Sequence, residues 1–331
     1  MNSGNRKSDD NKIFGIFKRK EPKELTPEEI EKEKNAPRNI AFFFKLLKRN
    51  FSKLLTLNFF MLFMIIPLFA AVFIYLQGPT TPSQTGVLAP TLFGAELISS
   101  SPAVSLMQSI YGMTVHLPIH GSYVYIVIAA VLLVLAAIWG WLNVGSTHIL
   151  RSMVRGEPIF MWSDFFYAIK RNLKQGFFMG LLDFIIIGVL GFDIFYFSGI
   201  SGSFGQDMMF FCAIGLAVIY IFMRYYIYLM LITFDLSIFK MLKNALIFTT
   251  LGIKRNIVAT LGVVLMAVIN IILAILFIPI GIIVPLILPL IYFLPFSAFM
   301  TAYAAYPNIK KYMIDPQIAS EESDLEEEGE A

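Results

Sequence analysis

Residues 257–306 read IVATLGVVLMAVINIILAILFIPIGIIVPLILPLIYFLPFSAFMTAYAAY, a stretch without a single Asp, Glu, Lys or Arg. A hydrocarbon core of about 30 Å is crossed by roughly 20 apolar residues of a helix that rises about 1.5 Å per residue. This stretch is too long for one crossing and fits two. Pro279 and Gly281 mark the expected turn, because both residue types interrupt helices. A single long buried helix is the less favoured alternative.

The whole chain shares this apolar character. Hydrophobic residues make up 57% of its 331 residues and charged residues only 15%, with a mean hydropathy of +0.71. Soluble domains are typically about 45–50% apolar and about 25% charged, so the composition excludes an ordinary soluble domain. We therefore predict an all-α membrane protein with six transmembrane helices. The predicted spans are residues 54–76, 123–144, 176–198, 208–234, 257–278 and 283–306.

Basic residues are unevenly distributed between the two sides of the predicted bundle. Of the 26 Lys and Arg residues, 25 lie in four segments. These segments are the one before the first span, the one between the second and third spans, the one between the fourth and fifth spans, and the one after the last span. No Lys or Arg lies in the opposite segments, 77–122, 199–207 and 279–282. Since Lys and Arg accumulate on the cytoplasmic side, we expect both termini in the cytoplasm. Residues 1–36 and the acidic stretch 313–331 read as disordered tails, which flank a membrane domain over 37–312.

The sequence contains little that points to catalysis. The phosphate-binding motif G-x-x-x-x-G-K-[ST] and the hydrolase motifs H-E-x-x-H and G-x-S-x-G are absent, so we expect neither an enzyme nor a cofactor. His116 and His120 have i, i+4 spacing, but Pro118 between them breaks the helix that a metal site would need. Cys212 lies alone in an apolar run, which favours buried packing. We predict no metal site, and basic residues at the membrane surface argue against nucleic acid.

The triplet Lys-Arg-Asn occurs at 48–50, 170–172 and 254–256, each time shortly before an odd-numbered span. Each copy follows an apolar or aromatic stretch, which predicts three parallel units of interfacial helix, basic turn and membrane hairpin. Internal repeats are common in transporters. The second unit is the clearest, because Ser163 is a suitable N-cap and Asp164 suits the helix dipole. We predict an amphipathic helix in the membrane plane there.

Three ionisable residues fall inside predicted spans, where charge is costly and by default indicates function. They are Asp183 and Asp193 in the third span and Arg224 in the fourth. At 1.5 Å per residue, Asp183 lies roughly 10 Å, and Arg224 roughly 15 Å, from the cytoplasmic ends of two antiparallel neighbours. We predict an ion pair between Asp183 and Arg224, with a structural or a transport-related role. Snorkelling of Arg224 to the interface is the alternative.

Uncharged polar residues in the spans have structural interpretations. Asn58, Asn143 and Asn270 are predicted to form hydrogen bonds between helices, and His148 is predicted to be structural. Aromatic residues with a polar tip favour membrane interfaces. On this basis we expect interfacial belts formed by Trp139, Trp141, Trp162, Tyr225, Tyr226 and Tyr228.

Four short motifs cluster between the second and third spans. They are Gly145-Ser-Thr-His-Ile-Leu-Arg151, Arg155-Gly-Glu157, Ser163-Asp-Phe-Phe166 and Lys170-Arg-Asn-Leu-Lys-Gln175. Together they resemble the YesL-like family of bacterial integral membrane proteins, most specifically over 145–176 and more broadly over 40–312. The resemblance implies a bacterial plasma membrane location, proximity of the gene to carbohydrate uptake systems and no established catalytic residue. It also suggests a cytoplasmic signature that orients the interfacial helix or docks a partner, formed by Arg151, Arg155, Glu157, Asp164, Lys170, Asn172 and Lys174.

Two functions are compatible with these observations. The first is a non-enzymatic accessory or regulatory membrane protein, associated through a transporter complex with a carbohydrate uptake system. The second is a small-solute transporter or permease-like protein in its own right, which the repeat and the intramembrane charges favour. Residues 235–256 lack the Glu-Ala-Ala coupling signature usual in the permease subunits of such uptake systems, which argues against that role.

Overall fold

The computed structural model describes residues 38–63, 65–76, 122–199, 203–277 and 283–320, and this part of the chain contains no β-strand. Its helices are α1 (Ile40–Leu62), α2 (Ile65–Leu76), α3 (Ser122–Arg155), α4 (Met161–Arg171), α5 (Leu173–Ser198), α6 (Phe204–Thr233), α7 (Ile238–Leu251), α8 (Ile253–Phe277) and α9 (Ile283–Ile309). A π-helical turn, Lys310–Ile314, follows α9, and helical structure continues to residue 320, past the predicted end of the membrane domain. Segments that lie outside the described residues are the tail 1–36, the loop with His116 and His120, and the acidic run 321–330.

Among the described residues, four helices are long and apolar enough to cross a membrane: α3, α5, α6 and α8. Much of their apolar surface is exposed. In α8, for example, Leu261, Leu265, Ile272 and Leu276 are each more than half exposed. Soluble monomers rarely expose large contiguous apolar patches, so this surface fits contact with lipid. The all-α class is confirmed for the described residues, and the four apolar helices indicate a membrane protein.

The bundle is organised around α3 and α6. Helix α3 packs against α1, α2, α4, α5, α6 and α9, and α6 additionally contacts α5, α7 and α9. In α6 the seven consecutive residues 226–232 are all buried. A helix that is covered on every side lies in the interior of a bundle. The C-terminal half of α6 is therefore the centre of the fold.

Two apolar clusters hold the helices together. One joins α3, α4, α5, α6, α7 and α9 and includes Val144, Met179, Met230, Met241 and Ala305. The other joins α1, α3, α4 and α9 and includes Leu54, Met153, Phe165 and Phe299. Because α3 and α9 contribute to both clusters, the two halves of the bundle share one framework.

The helices around the first predicted span differ in extent from that span. We predict a span over 54–76, whereas α1 begins at residue 40 and a second helix, α2, begins at residue 65. The side-chain oxygen of Asn39 accepts a hydrogen bond from the Phe42 N–H at 2.8 Å, and this N-cap fixes the earlier start. The later predicted spans, 176–198, 208–234, 257–278 and 283–306, begin and end within four residues of α5, α6, α8 and α9.

The Lys-Arg-Asn triplets occupy three different local structures. The predicted basic turn at 48–50 is wrong, because these residues lie inside α1 and Asn50 Nδ2 donates to the Leu46 carbonyl at 3.1 Å. Lys and Arg are good helix formers, so the triplet does not interrupt the helix. The second triplet ends at Asn172, which separates α4 from α5, and the third, 254–256, lies in the first turn of α8. Only the second triplet therefore coincides with a break between helices.

Helix α3 continues beyond the predicted end at residue 144 and closes with a glycine cap. Gly156 has a φ of 76°, in the left-handed region that suits glycine. The Glu157 N–H donates to the Ser152 carbonyl at 3.0 Å and the Gly156 N–H donates to Met153 at 3.3 Å. This pair of bonds is the Schellman arrangement that ends many helices.

Helix α4 begins earlier than predicted. Its N-cap is Phe160 instead of Ser163, and Ser163 lies within the first turn. The Asp164 carboxylate accepts a hydrogen bond from the Phe160 N–H at 2.8 Å, which satisfies a backbone donor at the helix start. Phe165 and Ala168 are buried against the bundle and Trp162 is exposed, so α4 has the predicted amphipathic character.

Candidate functional site in the membrane helices

Asp183 is the most deeply buried charged residue in the described chain, with no exposed surface. It lies roughly 15 Å from the start of α5 at 1.5 Å per residue. Its carboxylate accepts hydrogen bonds from Trp139 Nε1 at 2.7 Å and Tyr220 OH at 2.7 Å. Tyr228 OH donates at 2.9 Å, and Arg224 Nε lies 2.9 Å from Oδ1 and 3.0 Å from Oδ2. A carboxylate has about four acceptor positions, so these donors satisfy it.

Arg224 holds this carboxylate from α6 and reaches α3 as well. Its Nη2 donates to Asn143 Oδ1 at 3.2 Å. Its guanidinium carbon lies 5.4 Å from the Trp139 ring centroid and 5.9 Å from that of Tyr228, within the range of cation–π attraction. The structure brings the predicted partners into contact, and it directs the guanidinium to Asp183 and Asn143 instead of to the interface.

A close approach of α3 and α5 allows Trp139 to reach Asp183. A Cβ atom added to Gly140 would lie 2.7 Å from the Gly180 Cα and 2.9 Å from the Gly176 carbonyl carbon. Small residues let the backbones of membrane helices come this close. Trp139 precedes Gly140, and Asp183 lies one turn beyond Gly180, so the glycine contact sets the indole and the carboxylate opposite each other.

Helical spacing brings the remaining donors onto the same side. Tyr220, Arg224 and Tyr228 are four residues apart on α6, and residues with this spacing share one face of a helix. Trp139 and Asn143 have the same spacing on α3. The sequence interpretation misses this pattern. It assigns Trp139 and Tyr228 to interfacial belts, which is wrong because both donate to a buried carboxylate.

A cavity of about 350 Å³ adjoins the ion pair on the side of Arg224. It lies between α1, α3, α6, α8 and α9. Its polar wall is formed by Asn143, Thr147, Arg224, Ser297 and Thr301, and its apolar wall includes Met61, Leu150, Ile221, Val263, Leu294 and Ala298. The Arg224 side chain is 29% exposed, whereas Asp183 is fully covered. The ion pair therefore presents its positive member to the cavity.

Most residues of the predicted cytoplasmic signature make local contacts. Arg151 Nη1 donates to the Ile232 carbonyl at 3.2 Å and to Thr233 Oγ1 at 3.0 Å, so it ties α3 to the end of α6. Arg155 and Glu157 form an ion pair at 2.8 Å across the cap of α3. These contacts assign the three residues to the architecture of the helix ends.

The same holds for two further residues of the signature. Asp164 caps the start of α4, as described above, and Asn172 Nδ2 donates to the Ala168 carbonyl at 2.9 Å at its end. Lys170 and Lys174 differ, because both are exposed. With the neighbouring Arg171 they line a cleft of about 760 Å³ between the α4–α5 and α6–α7 junctions. Only these lysines of the signature are left for docking.

The predicted interhelical role of the asparagines is confirmed. Asn58 Nδ2 donates to the Leu290 carbonyl at 2.6 Å, joining α1 to α9. Asn270 Oδ1 accepts a hydrogen bond from Tyr292 OH at 2.8 Å, joining α8 to α9. Asn143 joins α3 to α6 through Arg224, as described above.

Other assignments change with the structure. Tyr226 is fully buried instead of interfacial, and its hydroxyl donates to Asn256 Oδ1 at 2.7 Å and accepts from Asn308 at 3.0 Å. Cys212 is exposed on α6 instead of buried. His148 Nδ1 lies 3.4 Å from Arg151 Nη2. Within the described residues, His, Cys, Asp and Glu form no group of three that could hold a metal ion.

Comparison with known proteins identifies no relative. No family model, no curated protein and no solved structure matches the chain. The resemblance of 145–176 to the YesL-like family is a prediction that no comparison tests. The function is therefore inferred from the geometry of the helices.

Proposed function

We propose that the protein is a small-solute transporter that binds its solute inside the membrane, in the cavity beside Arg224. The observation that carries this proposal is a cavity inside the helix bundle with the partly exposed guanidinium of Arg224 in its wall. Ligand pockets usually occupy about 300–1,000 Å³ and combine apolar walls with a few polar groups. The cavity, at about 350 Å³, has both. A purely structural ion pair needs no adjoining space.

The proposal includes six spans in three hairpins, with both termini in the cytoplasm of a bacterial cell. Supporting contacts are those between α2 and α3, between α5 and α6 and between α8 and α9. The one-sided distribution of basic residues supports the orientation. Solute sites near the middle of the bilayer are typical of secondary transporters, and Arg224 lies roughly 14 Å from the end of α6 by helical rise.

Flux through purified protein in liposomes tests the proposal. Vesicles would be loaded with a broad mixture of small metabolites, and efflux would be followed by mass spectrometry against protein-free vesicles. We expect selective efflux with the wild type and a large loss with Arg224→Gln. Asp193→Asn is the matched control, because Asp193 is also an acid of α5 but lies away from the cavity. Absence of any flux above that of empty vesicles contradicts the proposal.

The cleft at Lys170, Arg171 and Lys174 favours a second candidate function. A non-enzymatic accessory protein of a carbohydrate uptake system would use such a basic surface to dock an acidic partner. Affinity purification from native membranes tests this role. Lys170→Gln/Lys174→Gln should release a transporter complex that Lys310→Gln/Lys311→Gln retains. Recovery of the same proteins with both variants, or of none with the wild type, argues against it.

A further inference from the structure

We propose that the cavity binds an amphipathic anion, with a carboxylate or phosphate head on Arg224 and an apolar body along the opposite wall. The inference rests on the proposed function, because it names the ligand class of the same cavity. It follows from which hydrogen-bond donors and acceptors the helices leave unused.

Arg224 has donors to spare. A guanidinium carries five N–H groups in a planar fork. Nε donates to Asp183 and Nη2 donates to Asn143, and the other N–H groups have no acceptor among the described residues. Arg224 lines the cavity, where its side chain retains 29% of its exposure. The fork matches the oxygens of a carboxylate or phosphate, which it binds through two parallel hydrogen bonds.

Asp183 has no acceptor capacity to spare. Its two oxygens receive hydrogen bonds from four donors on two helices, α3 and α6, and none of its surface is exposed. The hydroxyl groups of Ser297 and Thr301 donate to carbonyls of their own helix, at 3.0 Å and 2.9 Å. Arg224 is the one charged residue among those that line the cavity. A ligand rich in acceptor oxygens suits it better than a cation or a purely apolar molecule.

The other side chains that line the cavity indicate the chemistry of the rest of the ligand. Eight of the other lining side chains are aliphatic or thioether groups: Met61, Leu150, Ile221, Leu229, Val263, Leu294, Ala298 and Ala302. Burial of methylene groups against such an apolar surface is energetically favourable. An anionic head joined to a short hydrocarbon chain fits both walls. Free carboxylic acids, alkyl phosphates and the head of a lipid all share this chemistry.

Asp183 and the ligand compete for one cation, and this competition predicts opposite changes in anion affinity for two variants. The carboxylate neutralises Arg224 at 2.9 Å, so it weakens the attraction of Arg224 for an anion in the cavity. Asp183→Asn keeps the shape of the side chain and removes this competition, and anion affinity should rise. Arg224→Gln removes the donor, and anion affinity should fall. A merely structural pair would give changes of the same sign in both variants, because each loses the same contact.

Three probes of equal chain length separate the head from the body: octanoate, octyl phosphate and octanol. Binding to the purified, delipidated full-length protein in detergent would be measured by microscale thermophoresis. We expect the wild type to bind both anions at least about tenfold more tightly than octanol, the factor that one charge-assisted hydrogen bond provides. Arg224→Gln should remove that preference, and Asp183→Asn should increase it about tenfold. Asp193→Asn should leave it unchanged, and circular dichroism checks that each variant is folded.

Native mass spectrometry before and after delipidation distinguishes the source of the ligand. A retained phospholipid that octyl phosphate displaces identifies a lipid head, whereas an empty protein that binds octanoate identifies a soluble anion. Equal affinity for all three probes, or no binding, overturns the inference whether or not Asp183→Asn folds. Equal affinity together with wild-type flux leaves the transporter proposal standing, so failure of the ligand class can be told from failure of the function.

Discussion

Replacing one member of the Asp183–Arg224 pair should destabilise the protein far more than replacing both. Asp183→Leu and Arg224→Met remove the charges while keeping side chains of comparable size. Loss of one partner of a buried ion pair costs about 3–5 kcal/mol, because the other charge is left uncompensated. Replacement of both partners by apolar residues is often nearly neutral. The double variant should therefore be more stable than Asp183→Leu alone.

The structure also predicts which single variant is worse. After Arg224→Met, the carboxylate still accepts hydrogen bonds from Trp139, Tyr220 and Tyr228, so we expect a loss of about 3 kcal/mol. Asp183→Leu leaves the guanidinium unpaired and also orphans three neutral donors. At about 0.6 kcal/mol for each hydrogen bond between membrane helices, the orphaned donors add about 2 kcal/mol. Asp183→Leu should thus be the more damaging change by about this amount.

The free energy of unfolding can be measured by titrating mixed micelles of the purified protein with sodium dodecyl sulfate. Far-UV circular dichroism is the suitable readout, because Trp139 fluorescence would report directly on the altered cluster. We expect a coupling energy between the two positions of about 3 kcal/mol or more. Pairing Asp193→Leu with Arg224→Met provides the reference cycle, for which the two effects should add.

Two results would refute this reasoning. If the losses of the single variants add up in the double variant, the ion pair has no coupling energy and the two residues act independently. If Arg224→Met is the more damaging change, the carboxylate is not supported by its hydroxyl and indole donors.

Two further changes test the packing around the site. Gly180→Ala should destabilise the fold by about 1–3 kcal/mol and lower the thermal midpoint, because the added Cβ meets the backbone of Gly140. Gly188→Ala in the same helix is the control: its Cβ meets nothing within 4 Å, so the change should be neutral or slightly stabilising. Equal thermal midpoints for the two variants would contradict the close approach of α3 and α5. Tyr226→Phe should lower the free energy of unfolding by about 1–3 kcal/mol, because the side-chain oxygen of the fully buried Asn256 loses its hydrogen-bond donor. An unchanged free energy of unfolding in micelles would show that the hydroxyl is dispensable.

Apolar composition predicts the bounds of four long helices well because a bilayer imposes one simple requirement. A crossing helix needs roughly 20 apolar residues whatever it packs against, so the bounds of α5, α6, α8 and α9 differ little from prediction. The start of α1 has no such requirement. Lys48 and Arg49 extend an existing helix as readily as they end one, and the N-cap at Asn39 decides the boundary. Local capping, which hydrophobicity does not report, explains why α1 begins before the predicted span.

The ion pair is predictable and most of its surroundings are not. A charge within a span is rare enough to call for a partner, and the depths estimated from the helical rise pair Arg224 with Asp183. Trp139 and Tyr228 carry no such signal, since an interface and a buried carboxylate suit an aromatic ring with a polar tip equally well. Their spacing is the available clue. Tyr220 and Tyr228 each stand four residues from Arg224, and this pattern marks one polar face on a helix that is otherwise apolar.

Arg224 is the one basic residue that lies inside a predicted span, and its surroundings explain how it can. Asp183 cancels its charge, and two aromatic rings and an amide surround its guanidinium. These contacts use all the hydrogen-bonding capacity of Asp183, whose oxygens have no acceptor position left. They do not use all the hydrogen-bonding capacity of Arg224, which keeps free donors beside a cavity of about 350 Å³. A pair built only for stability would cover both members equally, because each exposed donor weakens the advantage of the low-dielectric interior. The uneven covering of the two charges is therefore the strongest structural argument for a ligand at this position.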